Sequence, residues 1–166
     1  MFALNKGLDT GPIYTQIECL IDAQWTGVEL LAKLAEIGAE ATLKAIEMIQ
    51  AGEKPAQQNE ALASHAPKIT RDELEINWAK SAKEISLQVR AFSPAVFTRF
   101  RGEIFKITFA RVADIVKPLQ PGEILIEGKE VYAGTPSGLL HLKEVVPSGK
   151  KPMDAYSWAN GARLAT

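Results

Sequence analysis

Few residues in this 166-residue chain could do chemistry, and one of them stands apart. Asp9 lies between two glycines in Gly7-Leu8-Asp9-Thr10-Gly11-Pro12-Ile13, just after the apolar run Met1-Phe2-Ala3-Leu4. Glycine on both sides permits sharp turns and close approach of backbone or ligand, and Pro12 fixes the chain's exit. A carboxylate held in this way can orient a histidine or take a proton. The competing reading is that Asp9 and Thr10 bond their own backbone in a turn that ends a strand. His65 and His141, the two histidines, have no neighbours at ligand or triad spacing. Serines 81, 86, 93, 137, 148 and 157 lack the glycines of a nucleophile elbow. Cys19 is the only cysteine, which excludes intrachain disulfides and cysteine metal clusters. It reads as a small strand residue and makes a reducing cytoplasm the default compartment. No zinc-ligand spacing or Walker-type loop occurs, so no metal is expected. Asp9 is the one strong catalytic candidate, and its partners must lie elsewhere.

The elements that position these residues can be read in order. Residues 13–21 show alternation and β-branching that predict a strand leading away from Asp9. Thr26 and Glu29 form a capping box that opens a helix running to about Gln50 and closed by Ala51-Gly52. Leu30, Leu34, Ile37, Ala41 and Ala45 make its core-facing stripe, widened by Leu31 and Ala35, and Trp25 reads as a packing residue. Residues 53–69, with Pro55 and Pro67, lose all periodicity and are expected to be a linker. Capping boxes at Thr70/Glu73 and Ser81/Glu84 predict a short helix before Trp78 and a longer one over 81–92.

Strands and tight turns follow, at 96–100, 103–113, 122–126, 130–133 and 139–146, with a helical tail over 152–160. In the second of these, Phe105, Ile107 and Phe109 alternate with Ile104, Lys106, Thr108 and Ala110, so one face is buried. Five short strands after a helix suit a small closed barrel such as an OB-fold, which commonly binds nucleic acid; a small α+β sandwich is the alternative. The expected organisation is therefore α+β: an α/β fragment at 1–52, a linker at 53–69 and a barrel at 70–166.

Composition is that of an ordinary globular chain, 46% hydrophobic and 23% charged, with no apolar run long enough for a membrane span and no signal-peptide pattern. The net charge of −1 divides into −4 over residues 1–68 and +3 over 69–166. The basic half could contact phosphates through Arg90, Arg99, Arg101, Lys106 and Arg111, set near Phe97, Phe100, Phe105 and Phe109, although the spacing of these rings favours the barrel core. An aspartic-protease loop is a poor account of Asp9-Thr10-Gly11, because that fold is nearly all-β and a long helix begins here at Thr26. The first 52 residues cannot close a core alone, since both faces of a parallel-type sheet need cover. They read as the end of a larger α/β domain, whose uncovered edge could make the chain self-associate.

A series of motifs resolves these alternatives by resemblance. Gly7 to Ile13, the capped helix bearing Leu34-Ala35-Glu36-Ile37-Gly38-Ala39, then Ala66-Pro67-Lys68-Ile69, Ile76-Asn77-Trp78 and Arg90-Ala91-Phe92-Ser93-Pro94 occur in that order. The series resembles the methionyl-tRNA formyltransferase family through essentially the whole chain. Its first motif is shared with other 10-formyltetrahydrofolate enzymes, such as glycinamide ribonucleotide formyltransferase. The second half is similar to a domain of formyltetrahydrofolate dehydrogenases and a sugar-modifying relative. The resemblance implies the C-terminal fragment of a Rossmann-like formyltransferase domain, then a linker and an OB-like barrel that helps hold initiator methionyl-tRNA. It implies that formyl passes from 10-formyltetrahydrofolate, as co-substrate, to the amino group of methionine. Asp9 would orient an Asn and a His, with Leu8, Thr10 and Gly11 shaping the folate and substrate loop. Lys68, Arg90, Arg99, Arg101 and Lys106 would hold the tRNA.

The Asn and the His-x-Ser-Leu-Leu-Pro segment of the family would precede Met1, so the chain alone is expected to be inactive. Two departures stand out. Leu4-Asn5-Lys6 occupies the place of the usual Met-Asp-Glu, reversing local charge. Pro94-Ala95-Val96-Phe97-Thr98 shortens the usual Pro-x-Pro-Gly-Ala-x-Thr, which puts the start of the first barrel strand in question.

Overall fold

The computed structural model describes residues 1–164 and divides the chain into two compact units, Met1–Lys68 and Ile69–Thr166. The first unit is built around α1 (Gly27–Gln50). Thr26 caps it as its sequence dictates: the Thr26 side chain accepts from the Glu29 amide, and the Glu29 carboxylate accepts from the Thr26 amide at 2.7 Å. Ala41 and Ala45 are its buried residues. The apolar arc of α1 is much wider than this buried strip. Of the expected stripe, Ala41 and Ala45 are buried and Leu30 and Ile37 half-buried, while Leu31, Leu34 and Ala35 are exposed; Val28, Leu43, Ile46 and Ile49, outside it, are exposed as well.

Residues 13–21 do not form the expected strand. Ile13 makes isolated antiparallel bridges to Phe2 and Ala56, and the chain beyond it joins no ladder, with Leu20 and Ile21 exposed. Alternation makes a segment competent for a sheet; only a hydrogen-bonding neighbour makes it a strand. The segment read as a linker supplies one such neighbour at Ala56, and Asn59 caps a short 3-10 turn at Glu60–Leu62.

The second unit is α+β. Its helices are α2 (Arg71–Leu74), α3 (Ala82–Phe92) and α4 (Ala155–Gly161). Its strands are β1 (Phe97–Phe100), β2 (Glu103–Val112), β3 (Ile124–Glu127), β4 (Glu130–Gly134), β5 (Leu139–Pro147) and β6 (Met153–Asp154). They form one antiparallel sheet in the order β1-β2-β5-β4-β3, with β6 paired to β5. Along one edge, β5 pairs first with β4, at residues 139–142, and then with β6, at 144–145. The two-residue β6 is too short to show alternation in sequence. Among the described residues no ladder joins β1 to β3, so the strand order is that of an antiparallel sheet without the closure expected of a barrel.

The core lies between this sheet and α3 and α4. Ile85 and Val89 of α3 meet Phe105, Ile107, Leu140, Leu142 and Val145, and Trp158 of α4 closes the far end against Phe105 at 4.4 Å between ring centroids. Each fully buried Ile or Leu contributes about 1.5–3 kcal/mol of transfer free energy. β2 departs from strict alternation: its register with β5 shifts between Ile107 and Ala110. Phe105, Ile107 and Ala110 are buried, while Phe109, expected in the core, is 49% exposed. Ile107 to Ala110 and their partners Val145 to Leu142 each span three steps, so both strands are irregular here and the inward-facing set changes parity in both. The shortened Pro94–Thr98 segment starts β1 intact, with Val96 buried and Thr98 Oγ1 accepting from Trp78 Nε1 at 2.9 Å.

Candidate functional site

The Asp9 loop is held from three sides within the first unit. On one side, Asn5 Oδ1 accepts from the Gly7 amide at 3.0 Å and from Thr10 Oγ1 at 2.8 Å. Asn5 stands where a carboxylate is usual in the resembling family, and its oxygen offers the same kind of acceptor. On a second side, Gly11 is buried against Ala3: a Cβ there would lie 1.6 Å from the Ala3 carbonyl oxygen. That contact lets the Ala3 amide donate to Pro12 at 2.8 Å. On the third side, paired bonds between Ile13 and Ala56, at 2.7 and 2.8 Å, bring residues 56–58 alongside the loop. Gln58 Nε2 then donates to the carbonyls of Asp9, at 2.8 Å, and of Gly11, at 2.6 Å.

Asp9 itself adopts φ 54°, in the left-handed region that Asp tolerates better than most residues. Leu8 and Thr10 are exposed beside it and Gly11 is buried beneath. Leu8, Asp9, Thr10, Gln16 and residues of the segment 56–64 line a pocket of about 700 Å³. Amides and hydroxyls share the lining with apolar Leu8, Ile13 and Leu62, and its two carboxylates are Asp9 from the loop and Glu60 from the 3-10 turn, so it can orient a polar ligand and manage a proton. Gln58 was invisible as a site residue in sequence, because its partners lie 47 and 49 positions away. Among the described residues no cluster of His, Cys, Asp or Glu could hold a metal ion, and no helix is long and apolar enough to cross a membrane.

The basic residues fall into separate groups. In the antiparallel register of β1 and β2, Phe97 opposes Lys106 and Arg99 opposes Ile104, so Arg99 and Lys106 are diagonal neighbours on one face. Arg71, which sequence reasoning passed over, joins them: its guanidinium lies 5.5 Å over the Phe97 ring. Arg99 also reaches Glu75 at 3.5 Å, an exposed pair worth little in water. Arg101 is set apart at the β1–β2 turn, stacked over Phe100 at 5.0 Å and donating to the Ala162 carbonyl at 3.1 Å. Arg90 is half-buried on α3, whose buried side faces the core, and Lys68 closes the first unit, exposed.

His141, a strand residue in the sequence reading, is buried on β5 beside Tyr132, at 4.7 Å between ring centroids. Its Nε2 meets Glu130 Oε2, which Lys143 also reaches at 2.8 Å. Burial pushes the imidazole below its usual range, opposed by the Glu130 bond and assisted by Lys143 and Arg111. Bonds from Lys143 and His141 hold the Glu130 carboxyl below its usual range. This is a structural pair, and it belongs to the other unit from Asp9.

Residues 68–163 match the family described as formyl transferase, C-terminal domain. A methionyl-tRNA formyltransferase of Thermobifida fusca is 35% identical over 98% of this chain and 54% of its own length, and one of Salinispora tropica is 37% identical over 99% and 54%. Among solved structures, HypX from Aquifex aeolicus in complex with tetrahydrofolic acid superposes with a TM-score of 0.76 at 17% identity, covering 99% of this chain and 30% of that one. A HypX variant superposes at 0.73 and 19% identity, covering 95% and 30%; at these identities both show likeness of fold alone.

The sheet, its helices and this match place the chain in the formyl transferase family, as bearer of its C-terminal domain. Within that family it corresponds to the C-terminal region of methionyl-tRNA formyltransferases. It spans about half the length of the curated relatives it matches.

Proposed function

We propose that this chain serves formyl transfer from 10-formyltetrahydrofolate to the amino group of methionyl initiator tRNA. The observation that carries the reading is the clamped Asp9 loop lining a pocket, on a chain about 35% identical to methionyl-tRNA formyltransferases along nearly its whole length. Asp9 orients the groups that polarise the formyl carbon and accept the amine's proton, with Leu8, Thr10 and Gly11 forming the folate loop. Those groups, an Asn and the His of a His-x-Ser-Leu-Leu-Pro motif, do not occur as such in these 166 residues. On this reading the stretch binds, and turns over only with those groups supplied, in a cytoplasmic setting. Residues 1–52 act as the end of a Rossmann-like domain, 53–69 as a connecting segment and 70–166 as an OB-like tRNA-holding domain. The exposed apolar arc of α1 supports self-association of the isolated chain.

A second reading, a tRNA-binding module without catalysis, is favoured by the Arg71, Arg99 and Lys106 face. A salt titration of initiator-tRNA binding tests what the two share. With three or four phosphate contacts among Lys68, Arg90, Arg99, Arg101 and Lys106, affinity falls on the order of 10- to 100-fold between 50 and 200 mM salt. The double change Arg99→Gln and Lys106→Gln lowers the log–log slope by about 2. Salt-independent binding, or none at low salt, refutes tRNA holding. Turnover by the purified chain with both substrates refutes the assignment of missing groups.

A further inference from the structure

We propose that Gln58 is a positioning residue that sets the conformation of the Asp9 loop, so that the segment after the α/β fragment is a working part of the site. This rests on the reading of Asp9 as the site's carboxylate. The geometry is specific to glutamine. Its single Nε2 carries two protons, and they go to the carbonyls on either side of Thr10, those of Asp9 and Gly11. Both bonds engage main chain and neither engages the Asp9 carboxylate, so the loop is held while its functional group stays available. The carbonyls fixed are those bracketing the turn that follows the left-handed residue at φ 54°, where the backbone most needs support.

Reach and register are also fixed. The two bonds between Ile13 and Ala56 place residue 58 two positions beyond the bridge, level with residues 9–11. Asparagine, one methylene shorter, cannot span to both oxygens from that anchor. Glutamate at neutral pH loses the donor and sets a negative charge against two carbonyl dipoles. Neighbouring Asn59 is not a substitute, because its Oδ1 accepts from the Ala61 amide as the cap of the 3-10 turn. Asn5 secures the near side of the same loop through Gly7 and Thr10, so Gln58 closes a clamp whose other jaw is local.

The test uses the full chain, labelled for NMR, with Gln58→Ala and Gln58→Glu. In the unaltered chain the Gln58 side-chain amide protons exchange slowly. In Gln58→Ala, the Asp9 and Gly11 carbonyl shifts and the Asp9 Cα and Cβ shifts move, and the Gly7 amide exchanges about tenfold faster, while β2 and β5 amides do not change. Gln58→Glu behaves like Gln58→Ala at pH 7 and recovers part of the unaltered loop shifts at pH 4, where a protonated carboxyl donates again. A merely space-filling Gln58 would show no such recovery. Unmoved Asp9 and Gly11 shifts in Gln58→Ala overturn the inference, as does identity of the two variants at both pH values. A separate arm adds 5-formyltetrahydrofolate to the unaltered chain and reads residues 8–13 and 56–64. Shifts there support the folate reading; silence there, with a loop that moves in Gln58→Ala, refutes that reading and leaves the clamp standing.

Discussion

Replacing Gly11 by Ala should unfold the first unit while sparing the second. The added Cβ would lie 1.6 Å from the Ala3 carbonyl oxygen, roughly 1.8 Å short of the 3.4 Å at which ordinary contact begins. The obstruction is backbone, and the Ala3 carbonyl carbon at 2.8 Å blocks escape in that direction. A retreat of that size is incompatible with the bonds from Ala3 to Pro12 at 2.8 Å and from Tyr14 to Met1 at 3.0 Å. Two lost main-chain bonds, with their groups left poorly solvated, cost about 2–4 kcal/mol. What decides the outcome is how little the unit has to spare: among the described residues its only buried hydrophobic side chains are those of Ala41 and Ala45, and domains of this size are marginal even with a proper core. Urea-titrated amide spectra read both units in one sample, through Ala3 and Ala56 in the first and Ile107 and Leu142 in the second. The expected result is loss of the first set before urea is added, with the second unchanged. An Ala3 midpoint within about 0.5 kcal/mol of the unaltered chain would refute the reasoning.

Two further outcomes concern the second unit. Ile107→Ala should cost about 2–5 kcal/mol by urea unfolding, whereas Phe109→Ala should cost less than about 1, because the irregular stretch shared by β2 and β5 leaves the larger side chain outside; equal losses would contradict the register. Stability of this unit should decline as pH falls below 6.5: His141 is held below that value when folded, so the unfolded state binds its proton first and the stability present at higher pH is lost. Glu130, held below 4.5 by its bonds, adds a second decline in the same direction at lower pH. In His141→Gln the decline between pH 7 and 5 should flatten while the lower one persists, and an unchanged slope above pH 5 would dismiss His141 as its source.

Local signals were legible in sequence and non-local ones were not. The capping boxes at Thr26/Glu29, Thr70/Glu73 and Ser81/Glu84 all form, because three-residue spacing alone determines them. Strands β1 to β5 fall close to the expected ranges, since turns at Gly102, Gly128 and Gly138 with positive φ bound them. The strand expected over 13–21 failed because pairing is decided by a neighbour that its own residues do not name. Phe109 misled for a related reason: the irregularity at that point is shared with β5, whose Glu144 is its partner and is far along the chain. At the site, the glycines around Asp9 announced close approach but not its object. Ala3 supplies that contact for Gly11, and Gln58 supplies the support that no spacing in the chain announces.

The irregularity in β2 is shared with its partner strand. From Ile107 to Ala110 β2 advances three residues while β5 advances three in the opposite direction, from Val145 to Leu142, and the register is the same on either side. A residue removed from β2 here would leave β5 one residue too long and shift every pairing on one side of the gap. Thr108 is also held from two directions, its hydroxyl donating to Glu144 at 2.7 Å and its carbonyl accepting from the Ser93 hydroxyl at 2.7 Å. The two strands can therefore change length at this point only together, by one residue from each.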